Sequence, residues 1–112
     1  MAAAINRELG FGCMGFSAFY TSARTCSEDQ AIDVLNCAYD SGIRLFNTAT
    51  FYGPLNEEGF GANLRLLSKF LHQPDCRIDR SKVQIMCKVG MDTRCPVERT
   101  GQVWNNRGDS EG

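Results

Sequence analysis

The chain has 112 residues, of which 43% are hydrophobic and 22% are charged, and its formal net charge is −1. These values are ordinary for one globular domain, and such a balanced charge gives no basis for binding nucleic acid or an anionic membrane. No apolar run approaches the roughly 18 residues that a membrane-spanning helix needs. The N-terminal residues also lack the charged-then-apolar pattern of a signal peptide, so we expect a cytoplasmic protein.

A strand and a helix are the first predicted elements. The apolar segment from Gly10 to Gly15 predicts a short strand. Ser27 and Gln30 then have the spacing of a capping box, in which each residue's side chain bonds the other's backbone amide. An apolar stripe at helical spacing follows, made of Ala31, Ile32, Leu35, Ala38 and Tyr39. Gly42 is a natural end for this helix.

The second strand and helix come next. Residues Ile43 to Asn47 predict a strand, and Asn56, followed by two glutamates, predicts the start of a helix. The apolar face expected for this helix consists of Phe60, Leu64, Leu67 and Leu71. Gly59 and Gly61 would each weaken such a helix by about 1 kcal/mol relative to alanine. Their presence indicates close packing or an approaching ligand, and the sequence leaves both open.

The last predicted element is a third strand from Lys82 to Lys88, with Gln84, Met86 and Lys88 on one face. The order β-α-β-α-β makes this an α/β chain and favours a parallel sheet with right-handed crossovers. Residues 92–112 show neither a period of two nor one of 3.6. We interpret them as a disordered tail, in which Trp104 is exposed or loosely docked.

The six cysteines, at positions 13, 26, 37, 76, 87 and 95, include no C-x-x-C pair, and the chain has one histidine. This spacing does not suit zinc, so we expect no metal site and interpret the cysteines as reduced. Cys37 and Cys87 fall in apolar periodic segments, where a thiol usually behaves as a small hydrophobe. His72 is expected at the surface near a helix C-terminus.

Polar residues lie at or after the ends of the second and third predicted strands. If both strands belong to a barrel, Asn47 and Lys88 point inward at its C-terminal rim, where barrel active sites are built. Tyr52 follows in the next loop and would reach the same rim. Taken singly, these residues have ordinary interpretations as a turn former, a surface charge and a loop aromatic. Together they form a possible acid site, because a nearby ammonium makes a phenol a stronger acid.

Three motifs occur in the order and spacing of a known family: LGFGCMGFS from Leu9 to Ser17, FNTATFYGPLNEEGFG from Phe46 to Gly61, and IMCKVG from Ile85 to Gly90. Over residues 9–91 the chain resembles the barrel-type NAD(P)H-dependent aldo-keto reductases. The resemblance implies that residues 1–91 form the first three strands of a (β/α)8 TIM barrel. That barrel is incomplete here, since a whole one needs about 250 residues.

The resemblance also implies an activity, the NADPH-dependent reduction of small aldehydes and ketones to alcohols. Tyr52 would be the general acid, Lys88 its electrostatic partner, and Asn47 would stand where the family has an aspartate. Three residues would line the nicotinamide side of the cofactor pocket: Gly12, Cys13 and Met14. Asn47 can accept a hydrogen bond from Lys88 but cannot neutralise its charge. The family's catalytic histidine has no counterpart, and His72 lies too early in the chain to replace it.

We expect the isolated chain to be inactive, because three parallel strands leave open edges and an exposed inner face. A second hypothesis is an interaction or regulatory module, whose open edges pair with a full-length reductase or with another copy. A third is a fragment that completes an active barrel with a partner. The remaining interpretation is a small α/β domain whose motif matches are accidental.

Overall fold

The computed structural model describes residues 4–18, 25–54, 56–92 and 105–106. Their regular elements, in chain order, are β1 (Asn6–Gly12), α1 (Glu28–Asp40), β2 (Ile43–Ala49), α2 (Ala62–Leu71), β3 (Gln84–Lys88), β4 (Met91–Asp92) and β5 (Asn105–Asn106). Short 3₁₀ turns occupy Met14–Phe16, Pro74–Cys76 and Arg80–Lys82. The predicted α/β class, with three principal strands and two helices in alternation, is confirmed for this part of the chain.

The three longer strands form one parallel sheet in the order β1-β2-β3. Phe11 lies opposite Phe46 across the first strand pair, and Ala49 lies opposite Lys88 across the second. Because the strands are parallel, their C-terminal ends meet at the same edge of the sheet. This arrangement fits the beginning of a barrel, and it brings the loops after all three strands together.

The bounds of all three strands differ from the prediction, and β2 continues two residues beyond Asn47, to Ala49. The first strand runs from Asn6 to Gly12, and the residues after it turn as a 3₁₀ helix instead of continuing to Gly15. The third strand begins at Gln84 instead of Lys82, because Asp79 caps a 3₁₀ turn by accepting from Ser81 N at 3.1 Å. Side-chain oxygens that bond the local backbone favour such turns over strand pairing.

Helix α1 has the predicted start and the predicted end. The Ser27 hydroxyl accepts from Gln30 N at 3.1 Å, and the Gln30 side chain accepts from Ser27 N at 2.9 Å. Both bonds of the capping box are therefore present. Gly42 follows the helix with φ of +101°, a conformation that glycine adopts without steric cost. The buried side chains of the helix, Ala31, Leu35 and Ala38, belong to the predicted stripe.

Helix α2 starts six residues later than predicted, at Ala62 after Gly61, whose φ is +83°. Asn56 caps a turn instead, where its Oδ1 accepts from Gly59 N at 2.7 Å. A Cβ on Gly59 would lie 1.9 Å from Pro54 O, and one on Gly53 would lie 2.0 Å from Gly59 O. Gly59 therefore serves close backbone packing, the first of the two explanations that the sequence left open, whereas Gly61 adopts a left-handed conformation that favours glycine.

The buried face of α2 is also different from the predicted one. Its fully or nearly buried residues are Asn63, Leu66, Leu67 and Phe70. Of the predicted apolar face, only Leu67 is among them, while Phe60, Leu64 and Leu71 are half-buried. The later start of the helix explains the change, since the predicted stripe assumed helical geometry from Asn56 onward.

The core lies between the sheet and the two helices. Phe46 of β2 is 0% exposed, and its ring centroid is 5.2 Å from that of Phe70 in α2. Helix-side residues of all three strands pack into the same cluster, which includes Phe11 and Val83. The opposite face carries Met86, which is 50% exposed.

The expectation for two cysteines was wrong. Cys37 and Cys87 are both exposed, while Cys13 is fully buried. Cys87 lies on β3, which has only β2 beside it and is therefore an edge strand of the described sheet. The described cysteines, which exclude Cys95, are free, and their reduced state stays a prediction.

Beyond β3, Met91–Asp92 pairs antiparallel with Asn105–Asn106. The rest of the predicted tail, residues 93–104 and 107–112, lies outside the described residues, and so does Trp104. The division of the chain at residues 91 and 92 stays a prediction.

Candidate active site

The predicted acid site lies at the C-terminal edge of the sheet. The Lys88 ammonium donates a hydrogen bond to Asn47 Oδ1 across the β2–β3 pair. The same Nζ lies 5.0 Å from the centroid of the Tyr52 ring. A cation at this distance is attracted by the electron-rich face of an aromatic ring. The structure therefore brings together Asn47, Tyr52 and Lys88, which we call the acid trio; their catalytic roles stay predictions.

Asn47 is held on both sides of its amide. Its Oδ1 accepts from Lys88, and its Nδ2 donates to the sulfur of Met86 at 3.5 Å. An aspartate at this position would bring a negative charge next to Lys88 but could not donate to the sulfur when ionised. The observed network is therefore suited to a neutral amide, and it leaves the lysine charge without a carboxylate in this hydrogen-bonded pair.

Tyr52 is fixed in its loop and is only 7% exposed. It packs in a small cluster with Ala18 and Ala49, against which Met14 and Phe51 also lie. Its backbone N–H donates to Ala49 O at 3.3 Å, and its carbonyl accepts from Asn63 N at 3.1 Å. Tyr52 is therefore attached both to the end of β2 and to the first turn of α2.

The three predicted cofactor residues adjoin the trio but have different surroundings. A Cβ placed on Gly12 would meet nothing within 4 Å, so the backbone there is open to an approaching flat ring. Met14 is half-buried beside the Tyr52 cluster. Cys13 N donates to Asn47 O at 2.9 Å, which joins this segment to the trio. The Cys13 thiol is fully buried and so has no surface to offer a ligand.

Burial also controls the chemistry of the Cys13 thiol. Desolvation raises its pKa from an ordinary 9.0 to about 12, and the positive charge of Lys88 opposes this rise only in part. A thiol in this state stays protonated at neutral pH and is a poor nucleophile. Cys13 is therefore a structural residue with respect to the site.

Comparison with known proteins gives the family of the chain, independently of this site. The sequence profile of the Aldo/keto reductase family matches residues 8–111. The chain belongs to the aldo/keto reductase family. It is 37% identical over 87 residues to a probable aldo-keto reductase 1 of Glycine max, an alignment that covers 78% of this chain and 22% of that protein. The chain thus spans about a fifth of the length of this curated relative. No solved structure matches it significantly.

One residue near the candidate site was missed by the sequence analysis. Asn63 is 0% exposed, although it is polar and the other buried residues of α2 are apolar. Its Nδ2 donates to Cys13 O at 2.8 Å and to Ser17 Oγ at 2.9 Å, and its Oδ1 accepts from Thr48 Oγ1 at 2.5 Å. The available signal is an amide at helical spacing before Leu66, Leu67 and Phe70, but the sequence pattern predicts the buried stripe on a different face.

His72 is not part of the candidate site. It is exposed at the C-terminal end of α2, where Nδ1 lies 2.8 Å from Ser68 O. The other end of the ten-residue helix adjoins Tyr52, so about 15 Å of helix separates the two. Within the described ranges, no group of three potential ligands could hold a metal ion. None of the helices described there is long and apolar enough to cross a bilayer.

Proposed function

We propose that this chain carries the proton-donating part of an aldo/keto reductase active site, which serves the NADPH-dependent reduction of aldehydes and ketones to alcohols. The observation that carries the proposal is the approach of one cation, Lys88, to both Asn47 and Tyr52 at the C-terminal edge of a parallel sheet. In parallel α/β folds this edge is where ligands bind and reactions take place. Family membership supports the same reaction class.

In this proposal Tyr52 protonates the carbonyl oxygen of the substrate. The Lys88 ammonium, 5.0 Å from the ring centroid, stabilises the phenolate that remains after the proton has left. Asn47 keeps the lysine at this position through its Oδ1. NADPH, when bound, supplies the hydride for the carbonyl carbon. Together the proton and the hydride convert the carbonyl into an alcohol.

The residues assigned to the cofactor fit a flat ring in part. Gly12 has open space where a side chain would be, and Met14 offers a half-buried apolar surface beside Tyr52. Cys13 would contribute through its backbone, which bonds Asn47, and not through its buried thiol. We therefore assign Gly12 and Met14 as the nicotinamide contacts and Cys13 as the link between them and the acid trio.

We further propose that the isolated chain does not turn over substrate. Lys88 is exposed and Met86 beside it is 50% exposed, so water reaches the charged part of the trio freely. Reaction centres depend on the exclusion of water, because electrostatic interactions weaken in a high dielectric. A cavity of about 610 Å³ lies at the opposite end of the sheet, where Leu45 and Gln84 are among its lining residues. No member of the trio lines this cavity, so it does not enclose the candidate site.

The isolated chain provides the first test. NADPH fluorescence titration, with circular dichroism on the same sample, is expected to give a folded spectrum without a saturable isotherm. Reduction of simple aldehydes is expected to be undetectable. Saturable binding followed by turnover would contradict the proposed inactivity, while it would strengthen the assignment of the site.

The site itself is tested in a completed barrel, in which residues 1–91 replace the matching segment of a full-length aldo/keto reductase. Tyr52→Phe is expected to lower kcat by roughly 10²–10⁴-fold, the usual contribution of a positioned acid. Tyr39→Phe is the matched control, because Tyr39 belongs to α1 and packs against the core. Equal activity of the Tyr52→Phe variant and the parent chimera would exclude Tyr52 as the acid.

The role of Asn47 is tested in the same chimera by Asn47→Asp. A carboxylate next to Lys88 changes the charge of the site, so we expect the pH profile of kcat to shift and the rate at neutral pH to rise. If the profiles of the two proteins coincide, the charge at position 47 has no part in the reaction.

A second candidate function is an interaction module that pairs with a full-length reductase or with another copy. Two exposed apolar side chains at the edge of the described sheet favour it, since Met86 is 50% and Val89 is 74% exposed. Open strand edges bind further strands readily. Size-exclusion chromatography of the chain mixed with a complete aldo/keto reductase is expected to show a shared complex. Separate elution at micromolar concentration would remove this candidate.

A further inference from the structure

The side chain of Asn63 joins two segments that belong to different parts of the candidate site. It donates to Cys13 O and Ser17 Oγ in the turn after β1, and it accepts from Thr48 Oγ1 at the end of β2. Thr48 immediately follows Asn47 in the strand, and Cys13 lies between the two proposed nicotinamide contacts. One buried amide therefore bonds both the acid side and the cofactor side of the site.

The backbone of Asn63 adds a third connection. Its N–H donates to Tyr52 O at 3.1 Å, and two residues earlier Gly61 N donates to Thr50 O at 2.7 Å. The first turn of α2 is thus bonded to the loop that carries Tyr52. A shift of Asn63 would move the proposed acid relative to the turn that follows β1.

A role in general helix stability does not account for an asparagine here. Asparagine is a poorer helix former than alanine or leucine, and a buried amide is costly unless its hydrogen bonds are made. At this position both donors and the acceptor have partners. Apolar residues fill the other buried positions of α2, including Leu67 and Phe70.

We propose that Asn63 is a positioning residue, which fixes the turn from Cys13 to Ser17 against the acid trio and the Tyr52 loop. The effect of Asn63 on catalysis rests on the proposed function, but its effect on the position of the turn does not. Loss of the side chain removes the donor to Ser17 Oγ and the shorter of two bonds to Cys13 O, which keeps only the bond from Phe16 N at 3.2 Å. The turn then opens to water to satisfy these oxygens.

The reactivity of Cys13 reports this opening in the full 112-residue chain without cofactor or substrate. Mass spectrometry measures the rate at which iodoacetamide labels the Cys13 peptide in native buffer, with Cys37 as an exposed internal standard. Asn63→Ala is expected to raise the rate at Cys13 by on the order of tenfold or more, since one or two buried hydrogen bonds are lost. The rate at Cys37 is expected to stay unchanged.

The matched control is Leu67→Ala, which removes a buried side chain from the same helix without touching the hydrogen-bond network. Its Cys13 rate is expected to rise only by the factor by which the unfolded fraction rises. If Leu67→Ala and Asn63→Ala variants of equal global stability label Cys13 equally fast, Asn63 contributes to stability alone and the proposal is wrong.

A second pair of variants decides the question if Asn63→Ala does not fold. Thr48→Ser keeps the hydroxyl that orients the Asn63 amide, whereas Thr48→Val removes it at nearly constant size. Thr48→Ser is expected to keep Cys13 as protected as in the parent, and Thr48→Val to label faster. Equal labelling of the two variants would overturn the proposal.

A spectroscopic measurement connects the network to the acid. In chains labelled with ¹³C at the tyrosine Cζ, Asn63→Asp is expected to shift the Tyr52 resonance and to leave that of Tyr39 in place. An unchanged Tyr52 signal would overturn the positioning role. Failure of the reductase proposal would look different. The chimera would then have no activity, but the 112-residue chain would still show the difference in Cys13 labelling between Asn63→Ala and Leu67→Ala.

Discussion

The two faces of the three-stranded sheet differ, because one packs in the core and the other carries the candidate site. The helix side carries Phe46, which is fully buried against α2, and Ile85, which is half-buried and packs against the same core. The opposite side carries Asn47, Met86 and Lys88, which are half-buried or exposed. Because side chains alternate along a strand, neighbouring residues of β2 serve opposite purposes. Position 46 stabilises the fold and position 47 belongs to the candidate chemistry, so the face of a residue predicts what its substitution will change.

The largest expected contrast is between buried and open positions of neighbouring strands. Phe46→Ala is expected to lower the free energy of unfolding by about 3–5 kcal/mol, through lost burial and the cavity that remains. Met86→Ala, on the open face, is expected to cost less than about 1 kcal/mol. Urea unfolding followed by circular dichroism measures both. Equal losses would mean that the open face is covered in solution.

A smaller effect is expected where backbone contacts form the site's loop. Gly53→Ala places a methyl group 2.0 Å from Gly59 O, so the loop has to shift, and we expect a loss of about 1–3 kcal/mol. Gly12→Ala is the control, because its Cβ meets nothing within 4 Å. Comparable unfolding midpoints for the two variants would show that the loop after β2 is not close-packed.

The buried thiol predicts a pH dependence. Burial raises the pKa of Cys13 from 9.0 to about 12, so between these values the native state keeps a proton that the unfolded state has lost. The contribution of this thiol to stability is therefore fully present below pH 9 and is lost progressively as the pH rises through this window. Cys13→Ala removes this contribution. Urea unfolding across the window is expected to show that the free energy of unfolding declines less steeply with pH in the variant. Identical declines would mean that the Cys13 thiol is exposed to water.

The smallest expected effect concerns the helix that covers the sheet. Ser27→Ala removes the capping-box acceptor of α1 and is expected to cost about 1 kcal/mol. Ser41→Ala is the control at the other end of the helix, where the hydroxyl shares the Cys37 carbonyl with the backbone N–H of the same residue. Its expected change is within about 0.5 kcal/mol. A larger loss at Ser41 than at Ser27 would contradict the capping assignment.

Much of the fold could be predicted because its signals are local. Ser27 and Gln30 are three residues apart and predict the start of α1, and Gly42 predicts its end. The alternation of strands and helices then predicts the parallel sheet. The meeting of Asn47 and Lys88 followed from that sheet, since both lie at the C-terminal ends of neighbouring strands.

The errors arose where distant contacts decide the structure. Helix α2 starts only after the loop in which the backbones of Gly53 and Gly59 are in contact. No local sequence pattern predicts such a backbone contact. The same displacement concealed Asn63, whose partners lie 15 to 50 residues away in the sequence. The exposure of Cys87 depends on what lies beside β3, which the composition of the strand does not reveal.

The contact between Gly53 and Gly59 also bears on how this region tolerates evolutionary change. Because the two backbones touch, the chain leaves and re-enters the body of the protein at nearly one point. A change of chain length between the two glycines falls on the turn that Asn56 caps, whereas one between Gly59 and Asn63 shifts the register of α2 against Tyr52. The second change is therefore expected to disturb the candidate site more than the first.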